Sequence, residues 1–183
     1  MTDPHDLRRR LVRAHGDSRD RAGDSASSDV TGWWRDPVLL AALGPGLGDL
    51  FAEEEITAVL GPQTRGTPLA ALTALHRGVG LVEARKASAP VEDSADWWES
   101  AIALDYRDDP LLFRVRRALL GPGDRVLLVD DWIETGTQAA ACRRLVELAG
   151  AEWVGAAVVV DGLEDDARRA DLRVRSLVLD AEL

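Results

Sequence analysis

The sequence predicts an α/β fold in which a mostly parallel, twisted sheet is flanked by helices. Two apolar segments, residues 125–129 and 153–160, lack polar alternation, which is typical of strands buried on both faces of a sheet. Between them, residues 137–149 place alanine and leucine on one side of a helix that stops at Gly150. Strands that alternate with helices in this way indicate a parallel sheet. At 183 residues, the chain is long enough for one domain with its own core.

The first part of the chain contains the same kinds of element. Weak helical spacing predicts a short helix over 4–15, and the small polar residues of 16–29 predict a loose linker. Apolar positions over 37–51 fit one face of a helix, which we expect to be interrupted by Gly44-Pro45-Gly46. Residues 56–60 form a short apolar run that ends at a Gly-Pro turn, and 67–77 are rich in alanine and leucine. We therefore expect a strand, a loop and a helix in succession.

The remaining segments predict further strands and one long loop. Residues 79–82 are predicted to form a strand, and the acidic stretch 87–100 is predicted to be irregular. Residues 102–106 and 111–115 could pair as a hairpin across an Arg-Asp-Asp-Pro turn. A short helix and a last strand over 174–179 complete the predicted fold.

The charge and the cysteine content exclude several classes of protein. The 22 basic and 32 acidic side chains give a formal net charge of −10, so we expect no nucleic-acid partner and no anionic membrane surface. No apolar run approaches the ~20 residues that span a bilayer, and the arginine-rich N-terminus lacks an apolar signal-peptide core. The single cysteine, Cys142, fits a reducing compartment, which predicts a cytoplasmic location.

The segment that indicates chemistry follows the strand predicted over 125–129. Two adjacent carboxylates, Asp130 and Asp131, stand at the strand end, and Thr135 and Gly136 form a tight turn before a helix. Free backbone N–H groups at such a turn and helix N-terminus can hold a phosphate without a lysine. The carboxylates would repel that phosphate, so they should face hydroxyl groups or a metal. A ribose monophosphate satisfies both requirements.

This segment resembles the signature of the type I phosphoribosyltransferase family, which has an acidic pair, two apolar residues and a Thr-Gly loop. The resemblance implies that Asp130 and Asp131 hold the ribose hydroxyls of 5-phosphoribosyl 1-diphosphate (PRPP). It implies Mg²⁺ as the cofactor, bound mainly through PRPP, with Asp130 as a weak metal ligand. It also implies that the 5-phosphate binds to Glu134, Thr135, Gly136, Thr137 and Gln138. Thr137 and Gln138 depart from the family pattern, which usually has Gly or Lys and then Thr or Ser.

Most of the chain is similar, in matching order, to the adenine phosphoribosyltransferase branch of that family. Residues 32–37, Gly-Trp-Trp-Arg-Asp-Pro, resemble its G-x-x-F-R-D segment, which implies that Trp34 stacks on the base with Arg35 beside it. Residues 63–66 stand where the branch has E-A-R-G, and Arg-Lys at 85–86 ends the next strand. The resemblance implies that the diphosphate of PRPP binds to Gln63, Thr64, Arg65, Arg85 and Lys86. Lys86 is the one lysine of the chain.

Two carboxylates are candidates for handling the proton of the base. Asp105 lies in Leu104-Asp105-Tyr106, which resembles the L-E-Y of the adenine branch, and aspartate is one methylene shorter than glutamate. Glu134 stands where the hypoxanthine-guanine branch has an aspartate proposed as the acid or base. Glu134 could equally interact with the N-terminus of the following helix. The sequence leaves both catalytic candidates open.

The resemblance also predicts how the chain is organised. Residues 1–36 would contribute an N-terminal helix, a linker and a hood over the base, and 37–183 would form the core domain. A mobile lid is expected at 87–100. A lid and a shared diphosphate arginine are family features, and with the tryptophan pairs at 33–34 and 97–98 they predict a homodimer.

The predicted reaction is transfer of the phosphoribosyl group of PRPP to a purine-like base, with adenine as the default acceptor and diphosphate as a product. Thr137, Gln138 and the absence of an acid at Gln63 motivate an alternative, a non-catalytic PRPP- or nucleotide-binding regulatory module of the same fold. Receiver-type signalling domains also carry paired aspartates, but their lysine follows the pair, whereas Lys86 precedes Asp130.

Overall fold

The structure, a computed structural model, describes residues 4–22, 30–87, 94–102 and 111–183. Its strands are β1 (Ala58–Pro62), β2 (Gly80–Ala87), β3 (Trp97–Ile102), β4 (Leu111–Arg116), β5 (Arg125–Ile133), β6 (Glu152–Asp161) and β7 (Val174–Leu179). They form one sheet in the order β3-β4-β2-β1-β5-β6-β7. From β2 to β7 neighbouring strands pair in parallel, whereas β4 pairs antiparallel with both β2 and β3. The prediction of a mostly parallel α/β sheet is confirmed.

Helices make the crossover connections that parallel strands require. The helices are α1 (Pro4–Ala22), α2 (Thr31–Arg35), α3 (Pro37–Asp49), α4 (Gly66–Arg77), α5 (Thr137–Leu148) and α6 (Asp166–Asp171). Local sequence explains where α3 begins, because the Asp36 carboxylate accepts a hydrogen bond from the Val38 amide at 2.8 Å and proline occupies the first helical position. Within the described ranges, no helix is both long and apolar enough to cross a membrane.

Apolar side chains pack on both faces of the sheet, which explains the continuous apolar runs of the central strands. On β5, Leu127 and Val129 enter the cluster beneath α1, α3 and α4, whereas Val126 and Leu128 enter the cluster beneath α5. All four side chains are 0–1% exposed. The centre of the sheet is therefore fixed from both sides, and the carboxyl end of β5 is held in a defined position.

The N-terminal helix is longer than the sequence predicted. The expected boundary at residue 15 and the loose linker over 16–29 are wrong for 16–22, because α1 continues to Ala22. Leu7 and Leu11, one turn apart, are buried against the core and anchor the first half of the helix. The second half of α1 is polar but contains arginine and alanine, which favour helix. Its polar composition was therefore not sufficient to predict a linker. Residues 23–29 lie outside the described part of the chain.

The antiparallel hairpin also differs from the prediction. Residues 97–100 were expected to be irregular, but Trp97–Ile102 is strand β3 and pairs with Leu111–Arg116 in β4. The side chains alternate as in an edge hairpin: Trp98 packs on the core and Ser100 is buried, whereas Ala101 is exposed. Of the strand predicted over 102–106, residues 103–106 are outside the described ranges. The lid at 87–100 and the division into hood and core remain predictions.

Candidate active site

The paired carboxylates lie inside a strand and not after it. Strand β5 was predicted to end near Val129, but it continues through Asp130 and Asp131 to Ile133. Pairing with β6 continues along this extension, where Asp130 stands opposite Val158 and Ile133 opposite Asp161. Because backbone pairing fixes the extension, the two carboxylates are held by the sheet and not by a loop.

Asp131 is buried and forms an ion pair with Arg65. Its side chain is 6% exposed, and one carboxylate oxygen lies 2.8 Å from Arg65 Nε. Arg65 precedes α4, in the turn that follows β1, and β1 is the neighbour of β5 in the sheet. The carboxyl ends of adjacent parallel strands therefore bring a predicted ribose-binding residue and a predicted diphosphate-binding residue together. The sequence predicted both residues but not this contact.

Asp130 is held differently from its neighbour. Its Oδ1 atom accepts a hydrogen bond from the Asp131 backbone amide at 2.9 Å. A Cβ atom on Gly66 would lie 2.8 Å from the same Oδ1, so glycine at the start of α4 allows the turn to approach this carboxylate. Burial, followed by the negative charge of Asp131, raises the pKa of Asp130 well above its ordinary value, although Arg65 opposes the shift.

The turn between β5 and α5 has the backbone conformation that the sequence indicated. Gly136 adopts a left-handed conformation with φ of 74° and precedes the first residue of α5. The Thr135 and Thr137 hydroxyls lie 2.9 Å apart, and the Thr137 amide donates to Thr135 Oγ1 at 3.4 Å. The first N–H groups of a helix lack partners within the helix, so this turn presents donors to an anion.

Arg168 of α6 also lies at this turn, a contact that no sequence pattern indicated. One of its terminal nitrogens donates to the Thr135 carbonyl oxygen at 3.1 Å. Its side chain also covers Gly136, because a Cβ atom at that glycine would lie 2.9 Å from Arg168 Cδ. Arg168 adds a positive charge beside a turn that contains no lysine.

The turn after β1 and the end of β2 face each other. Gln63 and Thr64 are joined by a cis peptide bond, and the Gln63 amide N–H donates to the Ala84 carbonyl oxygen at 2.9 Å. Arg85 and Lys86 follow on β2 and are exposed. The structure thus places the predicted diphosphate-binding residues on two adjacent segments at the same end of the sheet.

Two cavities open at the carboxyl end of β5. The first, of about 230 Å³, is lined by Arg65, Asp130 and the whole predicted phosphate loop from Glu134 to Gln138. The second, of about 700 Å³, shares Trp132, Glu134 and Thr135 with the first. Its remaining lining is strongly polar and comprises Gly162, Leu163, Glu164, Asp165, Arg168 and Asp180. Trp132 borders both cavities, and sequence reasoning missed it because it occupies one of the two apolar positions of the motif, which indicate burial and not binding.

The predicted base-binding residues are not placed at these cavities. Trp34 is half-buried against the core beneath α1, and neither Trp34 nor Arg35 is among the described residues that line either cavity. The base-binding role of both residues stays a prediction. Of the two catalytic candidates, Glu134 is exposed and lines both cavities, whereas Asp105 lies outside the described residues.

Among the described residues, the site offers too few ligands to hold a metal ion by itself, but enough to bind a metal ion that arrives with a substrate. Across the described ranges, no three His, Cys, Asp or Glu side chains are grouped to hold a metal ion. Arg65 pairs with Asp131, which leaves Asp130 as the carboxylate best placed for a cation. Mg²⁺ commonly takes one or two carboxylates and completes its shell with water and substrate phosphates.

The fold and the site define a class of protein: a mostly parallel α/β sheet with paired carboxylates beside a turn that presents N–H donors at the start of a helix. The phosphoribosyl transferase domain family matches residues 47–181. The chain belongs to the phosphoribosyltransferase family and is an enzyme of that class.

Individual relatives agree with this assignment over most of their length. The adenine phosphoribosyltransferase of Methylococcus capsulatus is 37% identical over 152 residues, which cover 82% of this chain and 86% of the relative. The xanthine phosphoribosyltransferase of an Exiguobacterium species is 32% identical and covers 69% of this chain and 65% of the relative. The crystal structure of adenine phosphoribosyltransferase from Rhodothermus marinus has a TM-score of 0.70 at 34% identity, covering 82% of this chain and 85% of that one. The predicted resemblance is confirmed.

Proposed function

We propose that this enzyme transfers the phosphoribosyl group of PRPP to a ring nitrogen of a purine, releases diphosphate and acts in purine salvage. One observation carries the proposal. Asp130, Arg65 and the turn at Gly136 line one cavity, with Asp131 paired to Arg65 beside it. Carboxylates for ribose hydroxyls, a cation for diphosphate and N–H donors for a 5-phosphate therefore lie side by side.

The proposed binding mode divides PRPP among three parts of the site. The 5-phosphate would accept hydrogen bonds at the turn from Glu134 to Gln138, and the ribose hydroxyls would face Asp130 and Asp131. The diphosphate would bind to residues 63–65 and 85–86. Arg65 already holds Asp131 through Nε, and a guanidinium has five N–H donors, so it could hold both carboxylate and diphosphate.

The proposed reaction breaks the bond between ribose C1 and the diphosphate oxygen, and diphosphate leaves with the electron pair. A ring nitrogen of the base forms the new bond to C1, and its proton passes to a carboxylate, either Glu134 or Asp105. Positive charge develops on the ribose beside Asp130 and Asp131 as the bond breaks, while Arg65, Arg85 and Lys86 balance the leaving diphosphate. Mg²⁺, when bound, would add positive charge to the diphosphate, with Asp130 as its protein ligand.

The second cavity favours a purine that presents hydrogen-bond donors. Four carboxylates, Glu134, Glu164, Asp165 and Asp180, line it together with Trp132. Carboxylates accept hydrogen bonds, and among the described residues of this lining they outnumber the one cation, Arg168, so the lining suits the amino group of adenine better than the two carbonyl oxygens of xanthine. The relatives include both adenine and xanthine enzymes, and this lining supports adenine as the acceptor.

A diphosphate-release assay with PRPP, Mg²⁺ and a panel of purines tests the proposal. We expect turnover with adenine, and kcat/KM with xanthine at least about tenfold lower, because a single mismatched hydrogen bond costs about that factor. Wild-type protein that releases diphosphate with xanthine but not with adenine would contradict the acceptor assignment.

The alternative of a non-catalytic PRPP-binding module predicts a different result. Gln138 is exposed at the position where the family usually has a hydroxyl, so the phosphate contact of that side chain would be altered. Calorimetric binding of PRPP without diphosphate release against any base in the panel would favour this alternative over catalysis.

Two further predictions concern the setting of the enzyme. We expect a homodimer, which light scattering would measure directly, and a strict monomer would count against it.

A cytoplasmic location is expected from the single buried Cys142, because free thiols persist in reducing compartments.

A further inference from the structure

We infer that Glu83 is a positioning residue, which ties the turn after β1 to the end of β2 and thereby sets the geometry of the diphosphate site. The inference rests on the proposed function, because that function assigns residues 63–65 and 85–86 to the diphosphate. Glu83 is one position before Ala84 on β2 and stands opposite Gly61 of β1 in the sheet.

The Glu83 carboxylate binds both segments at once. Its Oε1 atom accepts hydrogen bonds from Gln63 Nε2 at 3.3 Å and from the Thr67 hydroxyl at 3.4 Å. Its Oε2 atom accepts from Arg85 Nε at 2.9 Å. One side chain therefore connects the turn, the start of α4 and an arginine of β2.

Gln63 closes the connection from the other side. While its Nε2 atom donates to Glu83, its Oε1 atom accepts from the Lys86 backbone amide at 3.1 Å. Both ends of the Gln63 amide group are thus engaged with β2. An acid at position 63 would face the Glu83 carboxylate at this distance, and the two negative charges would repel. The absence of an acid at Gln63 is explained by the presence of one at Glu83.

The environment of Glu83 makes this tie strong enough to affect binding. The Glu83 side chain is 28% exposed, so water screens its contacts only partly. Hydrogen bonds to a charged acceptor are stronger than neutral ones, and losing such a partner costs about tenfold or more in an equilibrium constant. A mobile turn would have to be ordered again each time diphosphate binds.

The test compares four variants in the full chain: Glu83→Ala, Glu83→Gln, Gln63→Glu and the exchange Gln63→Glu/Glu83→Gln. Calorimetry measures Mg²⁺-diphosphate and PRPP binding, steady-state kinetics measures KM and kcat, and hydrogen exchange measures protection of the amides of residues 61–67 without ligand. For Glu83→Ala we expect faster exchange in that segment and about tenfold weaker binding, with KM for PRPP raised and kcat changed less than about threefold.

The two glutamine-containing variants separate the contacts. Glu83→Gln keeps an oxygen acceptor for Gln63 and Thr67 but loses the charge that holds Arg85, so its affinity should lie between wild type and Glu83→Ala. Gln63→Glu alone opposes two carboxylates and should weaken binding. The exchange restores one carboxylate and one amide, so it should bind more tightly than Gln63→Glu, with a favourable coupling in the double-mutant cycle.

Glu152→Gln serves as the matched control, because Glu152 pairs with Arg125 at 2.5 Å at the start of β6, away from the site. It should leave diphosphate affinity unchanged. If wild type binds diphosphate and Glu83→Ala keeps both its affinity and its amide protection, the inference about Glu83 is wrong while the proposed function stands. Wild-type protein that binds neither diphosphate nor PRPP would overturn the proposed function and this inference together.

Discussion

Two neighbouring aspartates at the end of β5 differ in how the folded protein accommodates their negative charge. Asp131 forms an ion pair with Arg65, whereas burial and the negative charge of Asp131 raise the pKa of Asp130. A group that is unfavourably charged in the folded protein costs stability, and such groups are typical of functional sites. The stability of the protein should therefore change in opposite directions when asparagine replaces each residue, whereas activity should fall in both cases.

Asp130→Asn should stabilise the protein at neutral pH and impair the enzyme. The asparagine keeps an oxygen that can accept the Asp131 amide but carries no charge to be buried or repelled. We expect a higher melting temperature together with kcat/KM lowered by about ten- to hundredfold, because the charge proposed to face the ribose is lost. Thermal unfolding and the diphosphate-release assay measure the two effects.

The stability gain of Asp130→Asn should depend on pH. Since the pKa of Asp130 is higher in the folded protein than in the unfolded chain, the folded state binds more protons between those two values, and wild-type stability falls as pH rises through that interval. The advantage of the variant should be absent in acid and fully developed above the folded-state pKa. An advantage that is the same at every pH would contradict the assignment.

Asp131→Asn is the opposite case and the matched comparison. The Asp131 carboxylate is the partner of Arg65 and is only 6% exposed, so its replacement leaves the arginine without its ion pair. The variant should therefore have lower stability and lower activity, with activity reduced by at least about ten- to hundredfold. Wild-type turnover by this variant would contradict the role proposed for the acidic pair.

At the residue scale, the sequence predicted what lies within one continuous segment. Asp130, Asp131 and Gly136 could be found because the strand, the turn and the helix follow each other in the chain. Trp132 had no chemical signal, and Arg168 and Glu83 reach the site only because α6 and β2 fold next to it. Contacts between distant segments depend on register and packing, which local patterns do not contain.

Among the elements, helix α1 connects the N-terminal segment to the core. Its Leu11 side chain is fully buried in the cluster that also contains Leu127 and Val129 of β5. Helix α1 therefore belongs to the same apolar cluster as the strand that carries the carboxylates.

Leu11→Ala should destabilise the whole domain by about 2 to 5 kcal/mol, the usual cost of such a cavity. Urea unfolding followed by tryptophan fluorescence should show a single transition shifted to lower denaturant. Arg13→Ala, an exposed position on the same helix, is the control and should leave the midpoint nearly unchanged. A first transition confined to the N-terminal segment, with the midpoint of the core unaltered, would show that α1 folds separately.

Element prediction succeeded where burial leaves a periodic pattern and failed where it does not. The strands at the centre of the sheet were found because both faces are apolar, but β3 was missed because acidic residues around two tryptophans obscured its alternation. Strand β5 was predicted too short because aspartates are rare inside strands, and here pairing with β6 overrides that preference.

At the scale of the whole molecule, the reactivity of the single cysteine, which lies beneath the site, measures how often the folded structure opens. Cys142 on α5 is 0% exposed, and burial, reinforced by the negative charge of Asp130, raises the pKa of its thiol well above the ordinary value. A protonated, inaccessible thiol reacts only when the structure around α5 opens.

Labelling of Cys142 by a disulfide reagent should therefore be slow in native protein and slower still with substrate. A ligand that binds only the folded state adds about 2.7 kcal/mol at one hundred times its Kd, so PRPP with Mg²⁺ at that level should slow labelling about a hundredfold. Leu11→Ala should accelerate labelling if α1 and the core unfold together.

Stopped-flow or absorbance kinetics gives the labelling rates without requiring turnover, so the result distinguishes a chain that binds PRPP from one that does not. Labelling as fast as that of a free thiol would contradict the burial of Cys142, and a rate unaffected by PRPP would contradict substrate binding at the end of β5.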